Sequence, residues 1–365
     1  MAPGCKVTFR LRGKLPAPEG PGLRWTRLGS NGFGAVVTGL KPQDLQAPKV
    51  RRKLVDLWRG RRGLLVLRGL QLSPEELVDL TGAFGEVEEA LAASRVKAQV
   101  QTTPGHSRRG VVMRLGNSRD PATGEPNGSF TASALLRSAT GTEACQFNCE
   151  SKQPNWHTDG TFRQRPPTGS ALYAIQVPPT GGDTCFADAS RAFETLPIDT
   201  QRRLEGLEAV CSQAHHDALH NVKKPGTYTL MSPEQRMQMP LMAVPLVLTH
   251  PETQRKSLYG ANSSVFRLQS MNSPAPPSEL LERAEGPEAY EDPSVDELRS
   301  LLPHATGPEL VIRWHWDVGD LVVWDNRCTM HCATGFDHQT FVREMWRTTF
   351  HDMSWQPPVR QLSRE

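Results

Sequence analysis

The chain has 365 residues, enough for one large domain or two of average size. Its formal charge of +3, from 42 Lys and Arg against 39 Asp and Glu, is too small to argue for a nucleic-acid binder, which concentrates a basic stripe on one face. A hydrophobic share of 37 % permits a sizeable core, and 30 Gly with 30 Pro point to many turns, as in a β-rich or mixed fold.

The seven cysteines, Cys5, Cys145, Cys149, Cys185, Cys211, Cys328 and Cys332, are odd in number and not spaced like a small disulfide scaffold. They predict free thiols in a reducing compartment. Met1–Lys14 has no apolar run of the secretory kind, although a short basic start leaves an organelle signal open. The longest apolar stretches, such as Leu241–Leu248, fall far short of the roughly 20 residues that span a bilayer. A soluble cytoplasmic protein with no membrane or nucleic-acid partner is expected.

In chain order, residues 1–22 read as a loose Pro-, Gly- and Arg-rich tail, and Arg24–Leu40 as a strand signal broken by glycines. Lys49–Arg62 reads as a basic amphipathic helix with Val50, Leu54, Leu57 and Trp58 on one face. That pattern fits a surface helix docked on a core, with a calmodulin- or membrane-type helix as the alternative. Gly63–Leu70 is a buried strand, and Ser73-Pro-Glu-Glu76 is a capping box opening a helix that stops at Gly85. Residues 101–154 are polar and turn-rich, with a weak strand signal at Val111–Leu115; so long an irregular stretch is expected to shape a pocket.

Arg165–Phe186 is strand-like around a turn ending at Asp183, and Arg191–Leu207 is helical with a break at Pro197. His215, His216 and His220 do not share one face of either element, which argues against a metal site there. Ser273–Pro277 is a Pro-rich hinge, and Ser294–Glu297 is a second capping box whose helix should end before Pro303. Leu310–Trp316 and Leu321–Trp324, joined at Asp317–Asp320, predict a hairpin. Phe341–Phe350 is a last strand, and the charged tail beyond Ser354 should fray. The order suits a jelly roll. A dinucleotide fold is disfavoured, because Gly29–Gly34 lacks the GxGxxG spacing.

The chemistry centres on Asn155–Pro167, N-W-H-T-D-G-T-F-R-Q-R-P-P. On a strand, His157 and Asp159 point to one side. His331, after a buried strand and a turn, is the best third ligand. Two histidines and one carboxylate on one face leave open positions and suit non-haem Fe(II), whereas structural zinc prefers four ligands rich in cysteine. A 2-oxo acid chelated to such a metal needs an anchor for its far carboxylate. Arg343 is the natural fork, and Arg347 follows it on the same strand face. The C-x3-C pairs Cys145/Cys149 and Cys328/Cys332 make a zinc site conceivable, but Cys332 adjoins His331 and must face the other way.

These segments resemble the TauD/TfdA family of Fe(II)- and 2-oxoglutarate-dependent oxygenases. The resemblance rests on W-H-T-D-G-T-F at Trp156–Phe162, P-P-T-G-G-D-T at Pro178–Thr184, H-W-D-V-G-D-L-V-V-W-D-N-R-C-T-M-H at His315–His331, and R-E-M-W-R at Arg343–Arg347. It runs from about Leu23 to Phe350. It implies a mixed, mainly β double-stranded β-helix (jelly roll, cupin-like) with flanking helices. It also implies Fe(II) on His157, Asp159 and His331, and 2-oxoglutarate held by Thr184 and Arg343. Arg347 would meet the substrate's anionic group, with O2 as co-substrate and succinate and CO2 as products.

The domain reading is a flexible tail at 1–22, one catalytic domain at 23–350 with insertions at 211–240 and 270–293, and a C-terminal tail at 351–365. Family members often form dimers or tetramers. Near Ala90 the sequence lacks the histidine that binds sulfonate in the taurine enzyme, and the C-terminal half looks closer to the phenoxyacetate enzymes. A small anionic substrate is expected, with C–O or C–S cleavage open to follow hydroxylation. The alternatives are a trimethylammonium or amino-acid-like substrate, with an aromatic cage from Trp156, Tyr173, Trp316 and Trp346, and a non-enzymatic ligand-binding relative.

Overall fold

The computed structural model describes residues 23–41, 43–88, 111–124, 156–223 and 230–364. The N-terminal tail, Ala90, Cys5, Cys145, Cys149 and most of 101–154 lie outside the described residues. The chain groups into two compact units: one of residues 1–147, 167–188 and 308–354, the other of 148–166, 189–307 and 355–365.

The first unit holds two sheets. The larger runs in the order Arg24–Arg27, Ala35–Thr38, Leu64–Leu67, Leu321–Asp325, Gly169–Gln176, Glu344–His351, Glu86–Val87, and Met113–Gly116 also pairs with Glu344–His351. Its one parallel pairing joins Ala35–Thr38 to Leu64–Leu67, with the helix Pro48–Gly60 as the crossover. That helix is the docked surface helix expected. Leu54 and Trp58 are buried, Trp58 packing edge-on to Phe84 and Phe350, while Arg52, Lys53 and Arg59 are exposed. Burying each such apolar side chain stabilises the fold by ~1.5–3 kcal/mol, which the basic face does not oppose because it stays in water. The helix Pro74–Thr81 carries the predicted reciprocal cap: Glu76 N donates to Ser73 Oγ and Ser73 N donates to Glu76 Oε2 at 2.7 Å.

The smaller sheet is Val311–Trp314, Thr184–Asp188, Thr329–Ala333. Alternation turns one face of it toward one face of the larger sheet. Phe186, Ile312 and Trp314 from the small sheet share a single buried cluster with Leu64, Val66, Leu172, Val322, Trp324 and Met345 from the large one. The opposite face of the large sheet packs under the two helices, around Leu65, Leu67, Tyr173, Leu321 and Val323.

The predicted hairpin at 310–324 is corrected. Both strands form, but they do not pair. Val311–Trp314 joins Thr184–Asp188, and Leu321–Asp325 lies between Leu64–Leu67 and Gly169–Gln176. Asp317–Asp320 is a corner at which the chain changes sheets. A turn signal marks a reversal, not the partner that follows it. Arg68 pairs with both Asp317 and Asp320 and fixes the corner.

The second unit has the antiparallel sheet Val265–Ser270, Leu207–Ser212, Leu241–Pro245, Arg360–Leu362 and a two-stranded ribbon, Val247–Thr249 with Lys256–Leu258. The stretch after Ser354, expected to fray, supplies the edge strand. Arg360 reaches the buried Glu208, and Arg364 forks onto the buried Glu285 at 2.8 Å. Ser294 does begin the helix Val295–Ala305, but its hydroxyl accepts from Leu268 N at 2.9 Å instead of closing a capping box. The helix also continues past Pro303, because a proline in the last turn removes only one ladder bond. His215, His216 and His220 lie on the helix Gln213–Lys223 with separate partners (Ala284 O, Asp217 and Ser263 Oγ), so no metal cluster forms from them among the described residues. Cys211, Cys328 and Cys332 are not in a disulfide, whereas Cys185 is disulfide-bonded, against the expectation of thiols throughout. Among the described residues no helix is long and apolar enough to cross a membrane.

Candidate active site

The first unit brings His331, Thr184 and Arg347 onto paired strands, with Arg343 just before the strand Glu344–His351. His331 sits opposite Phe186, and Thr184 opposite both Ala333 and Trp314. Cross-strand partners share a face, so His331 and Thr184 both turn toward the large sheet. The His331 ring is only 7 % exposed; it stacks on Phe186 and lies 4.8 Å from the Trp324 ring, centroid to centroid. Trp324 is itself oriented, because its Nε1 donates to Asn326 Oδ1 at 3.0 Å. Cys332, next in sequence, faces the other way, as the alternation requires, and burial pushes its thiol far up.

On the facing strand Arg347 lies opposite Leu172, which puts it on the same inner face. Its Nη2 donates to Ser170 Oγ at 3.1 Å, and its guanidinium carbon lies 6.0 Å from the Trp324 ring. Trp324 therefore touches both His331 and Arg347.

Arg343 is placed by loops. Its backbone N–H donates to Asn117 Oδ1 at 2.8 Å, and Asn117 Nδ2 donates to the carbonyls of His338 and Phe341. Its Nε donates to Gly182 O at 3.0 Å. Gly182 needs its left-handed φ of +66°, and a Cβ there would lie 2.9 Å from Pro178 Cγ and 3.2 Å from Arg343 Cδ. Desolvation pulls the Arg343 guanidinium down to about 10, with only the charge of Asp183 opposing it. Asp183 is already engaged with Arg313 at 2.7 Å and His315 at 3.0 Å. Burial alone would raise the Asp183 carboxyl; the His315 hydrogen bond and charge, with Arg313, outweigh it and hold the group below its ordinary value. Among the described residues no carboxylate lies in ion-pair contact with Arg343. A desolvated cation of that kind fits an anion supplied by a ligand.

The second unit holds His157 and Asp159. His157 forms an isolated bridge, and Asp159 begins the turn that continues through Gly160, so the strand reading holds only for the first of the pair. Thr158, between them, is pinned by its N–H to Ala261 O at 2.8 Å and by Asn262 Nδ2 to its carbonyl. His157 Nε2 and Asp159 Oδ1 lie 3.6 Å apart, close enough to serve one cation. The His157 side chain is 40 % exposed, while that of Asp159 is 8 % exposed.

Sequence reasoning missed Asn117, Trp324 and Asp183. Asn117 falls in the stretch read only as irregular, and Trp324 and Asp183 read as strand core and turn. The aromatic cage does not assemble in the first unit. Tyr173 and Trp346 pack together in the cluster under the helices, while Trp316 belongs to the cluster between the sheets.

Imidazole and carboxylate suit a metal-dependent oxygenase, and a desolvated guanidinium suits an anionic co-substrate. The chain matches the family described as "Taurine catabolism dioxygenase TauD, TfdA family" over residues 25–349 and belongs to it. It is a dioxygenase, an oxidoreductase. It is 32 % identical over 290 residues to an alpha-ketoglutarate-dependent 2,4-dichlorophenoxyacetate dioxygenase of Burkholderia sp. (strain RASC), covering 79 % of this chain and 81 % of that one. It is 30 % identical over 233 residues to an alkylsulfatase of Acinetobacter baylyi, covering 60 % and 65 %. Among solved structures, AAD-2 in complex with Mn(II) and N-oxalylglycine is similar with a TM-score of 0.66 at 26 % identity, over 93 % of this chain and 100 % of that one.

Proposed function

We propose that this dioxygenase hydroxylates a small organic anion, a carboxylate or sulfate ester, at a site assembled from His157, Asp159, His331, Thr184, Arg343 and Arg347. As a member of its family it uses Fe(II), 2-oxoglutarate and O2. The observation that carries the reading is Arg343: a desolvated guanidinium in ion-pair contact with no carboxylate among the described residues, whose Nε donates to the carbonyl of Gly182, two residues before Thr184.

In this reading His157, Asp159 and His331 hold the iron, and their nitrogen and oxygen donors suit Fe(II). When bound, the iron with 2-oxoglutarate supplies the oxidising power to break a C–H bond. The residues supply position. Arg343 takes the far carboxylate of 2-oxoglutarate. His331, wedged between Phe186 and Trp324, keeps one orientation. Arg347 offers its charge from the inner face to the substrate's anionic group, and the apolar Phe186, Leu172 and Met345 keep water from that face. Hydroxylation at a carbon bearing oxygen gives a product that collapses by C–O cleavage. The names of the two relatives, one acting on a phenoxyacetate and one an alkylsulfatase, support an anionic substrate.

The accompanying fold reading is a double-stranded β-helix. The corner at Asp317–Asp320, where consecutive strands enter different sheets, supports it. The accompanying domain reading is one catalytic domain at 23–350, and a homodimer or tetramer is tested by light scattering.

The experiment is an anaerobic titration of the protein with Fe(II) and 2-oxoglutarate, followed by succinate release in air with a panel of aryloxyacetates and alkyl sulfates. A visible absorption band that is lost in Arg343→Ala, and succinate release stimulated by one anion, support the reading. Stimulation by quaternary ammonium compounds and not by anions refutes the substrate class.

A further inference from the structure

Thr184 is 3 % exposed, and among the described residues its hydroxyl has a single partner: Trp316 Nε1 donates to Thr184 Oγ1 at 3.1 Å. An indole N–H can only donate, so the threonine oxygen is the acceptor in that bond. Among the described residues the hydroxyl proton has no acceptor. A buried hydroxyl that accepts and does not donate is half-satisfied, at a cost that a ligand oxygen would remove.

The surroundings make this a fixed arrangement. Asp183, next to Thr184, is clamped by Arg313 and His315 through its side chain; its N–H donates to Thr334 Oγ1 and its carbonyl accepts from Thr334 N, both at 2.9 Å. Trp314, paired directly with Thr184, is two residues before Trp316, and both indoles pack in the cluster between the sheets. Neither end of the Thr184–Trp316 bond can drift without breaking those contacts.

We infer that Trp316 is a positioning residue: its N–H occupies one lone pair of Thr184 and so turns the hydroxyl proton outward as a donor to the 2-oxoglutarate carboxylate that Arg343 attracts. The inference rests on the function proposed above and deepens it. Without the indole N–H, the threonine hydroxyl is free to rotate. The anion then loses an aligned donor while keeping the charge of Arg343.

The test is the dissociation constant of 2-oxoglutarate, read anaerobically with Mn(II) by calorimetry and with Fe(II) by its visible band. The proteins are wild type, Trp316→Phe, Thr184→Val and the double variant. Each single change is expected to weaken 2-oxoglutarate about tenfold, the scale of one hydrogen bond to a charged group, and to leave the affinity for the metal alone unchanged. The double variant should be no weaker than Thr184→Val, because Trp316 acts through the hydroxyl. If Trp316→Phe weakens binding as much in the Thr184→Val background as in the wild type, the indole works by packing and the inference is overturned. Unchanged affinity in Trp316→Phe overturns it too. Where Trp316→Phe does not fold, benzothienylalanine at 316 keeps the ring shape and replaces N–H by sulfur; the same weakening is expected, and wild-type affinity would overturn the inference. A wild type that binds no 2-oxoglutarate overturns the parent reading and takes this one with it.

Discussion

The proposed iron ligands are held in two different ways. His331 stands in the middle of a strand, paired with Phe186, stacked on that ring and on Trp324, and almost wholly buried. His157 and Asp159 stand on a bridge and a turn, fixed by two backbone hydrogen bonds at Thr158, and His157 is well exposed. One of the three proposed ligands is therefore part of a hydrophobic core, and the other two are presented by a bridge and a turn. A ligand in a core carries stability as well as chemistry.

That contrast breaks most sharply by substitution. Asp159→Ala, His157→Ala and His331→Ala are each expected to lower succinate formation by at least about 1,000-fold, as removal of a metal ligand does. His331→Ala should also destabilise the metal-free fold, by ~2–4 kcal/mol and by more than His157→Ala, because it empties a site between two aromatic rings. Chemical denaturation of the metal-free variants checks this, and equal stability in His331→Ala and His157→Ala would sink the distinction.

The proposed co-substrate clamp lies wholly on strands and loops of the first unit. Arg343→Ala should raise the 2-oxoglutarate dissociation constant about 100-fold, the worth of a charge-assisted pair, with metal affinity unchanged. Asn117→Ala should act in the same direction with a smaller effect of roughly five- to tenfold, since it removes the acceptor that fixes the Arg343 backbone and not the charge. Anaerobic titration separates the two.

Gly182→Ala should destabilise by ~1–3 kcal/mol and weaken 2-oxoglutarate with it, because the left-handed backbone and the crowding at Pro178 and Arg343 are relieved only by moving the clamp. Thermal melts and titration should shift together.

The smallest effect is in pH. The Asp183 carboxyl is held below its ordinary value in the fold, so its pairing stabilises above the unfolded value of about 4 and is lost as pH falls through the folded one. Stability should therefore fall below about pH 4 more steeply in the wild type than in Asp183→Asn. Urea midpoints across that range measure it, and parallel curves would remove Asp183 from the brace.

Much of this was legible in the residues. The capping box at Ser73–Glu76, the docked helix with Trp58 and the buried run Leu321–Trp324 follow from spacing and polarity, and the structure bears each out. His331, Arg343 and Arg347 were singled out because chelation and anion binding demand particular side chains, and Thr184 through the family resemblance; their roles are those proposed above. Asn117 and Trp316 were not legible. Each acts through a partner more than 100 residues away, Arg343 and Thr184, and no local pattern encodes such a partner.

What the sequence determined by itself is the set of chemical groups and the local elements that carry them, since propensity, alternation and capping act over a few residues. Which strands pair was decided by the tertiary structure alone. Val311–Trp314 and Leu321–Asp325 look like a hairpin and enter different sheets, and the charged end of the chain looks free yet closes a sheet at Arg360–Leu362. The reason is that a strand's hydrogen bonds are satisfied equally well by any partner of the right register, so the choice falls to the core that must be covered and the buried charges that must be paired.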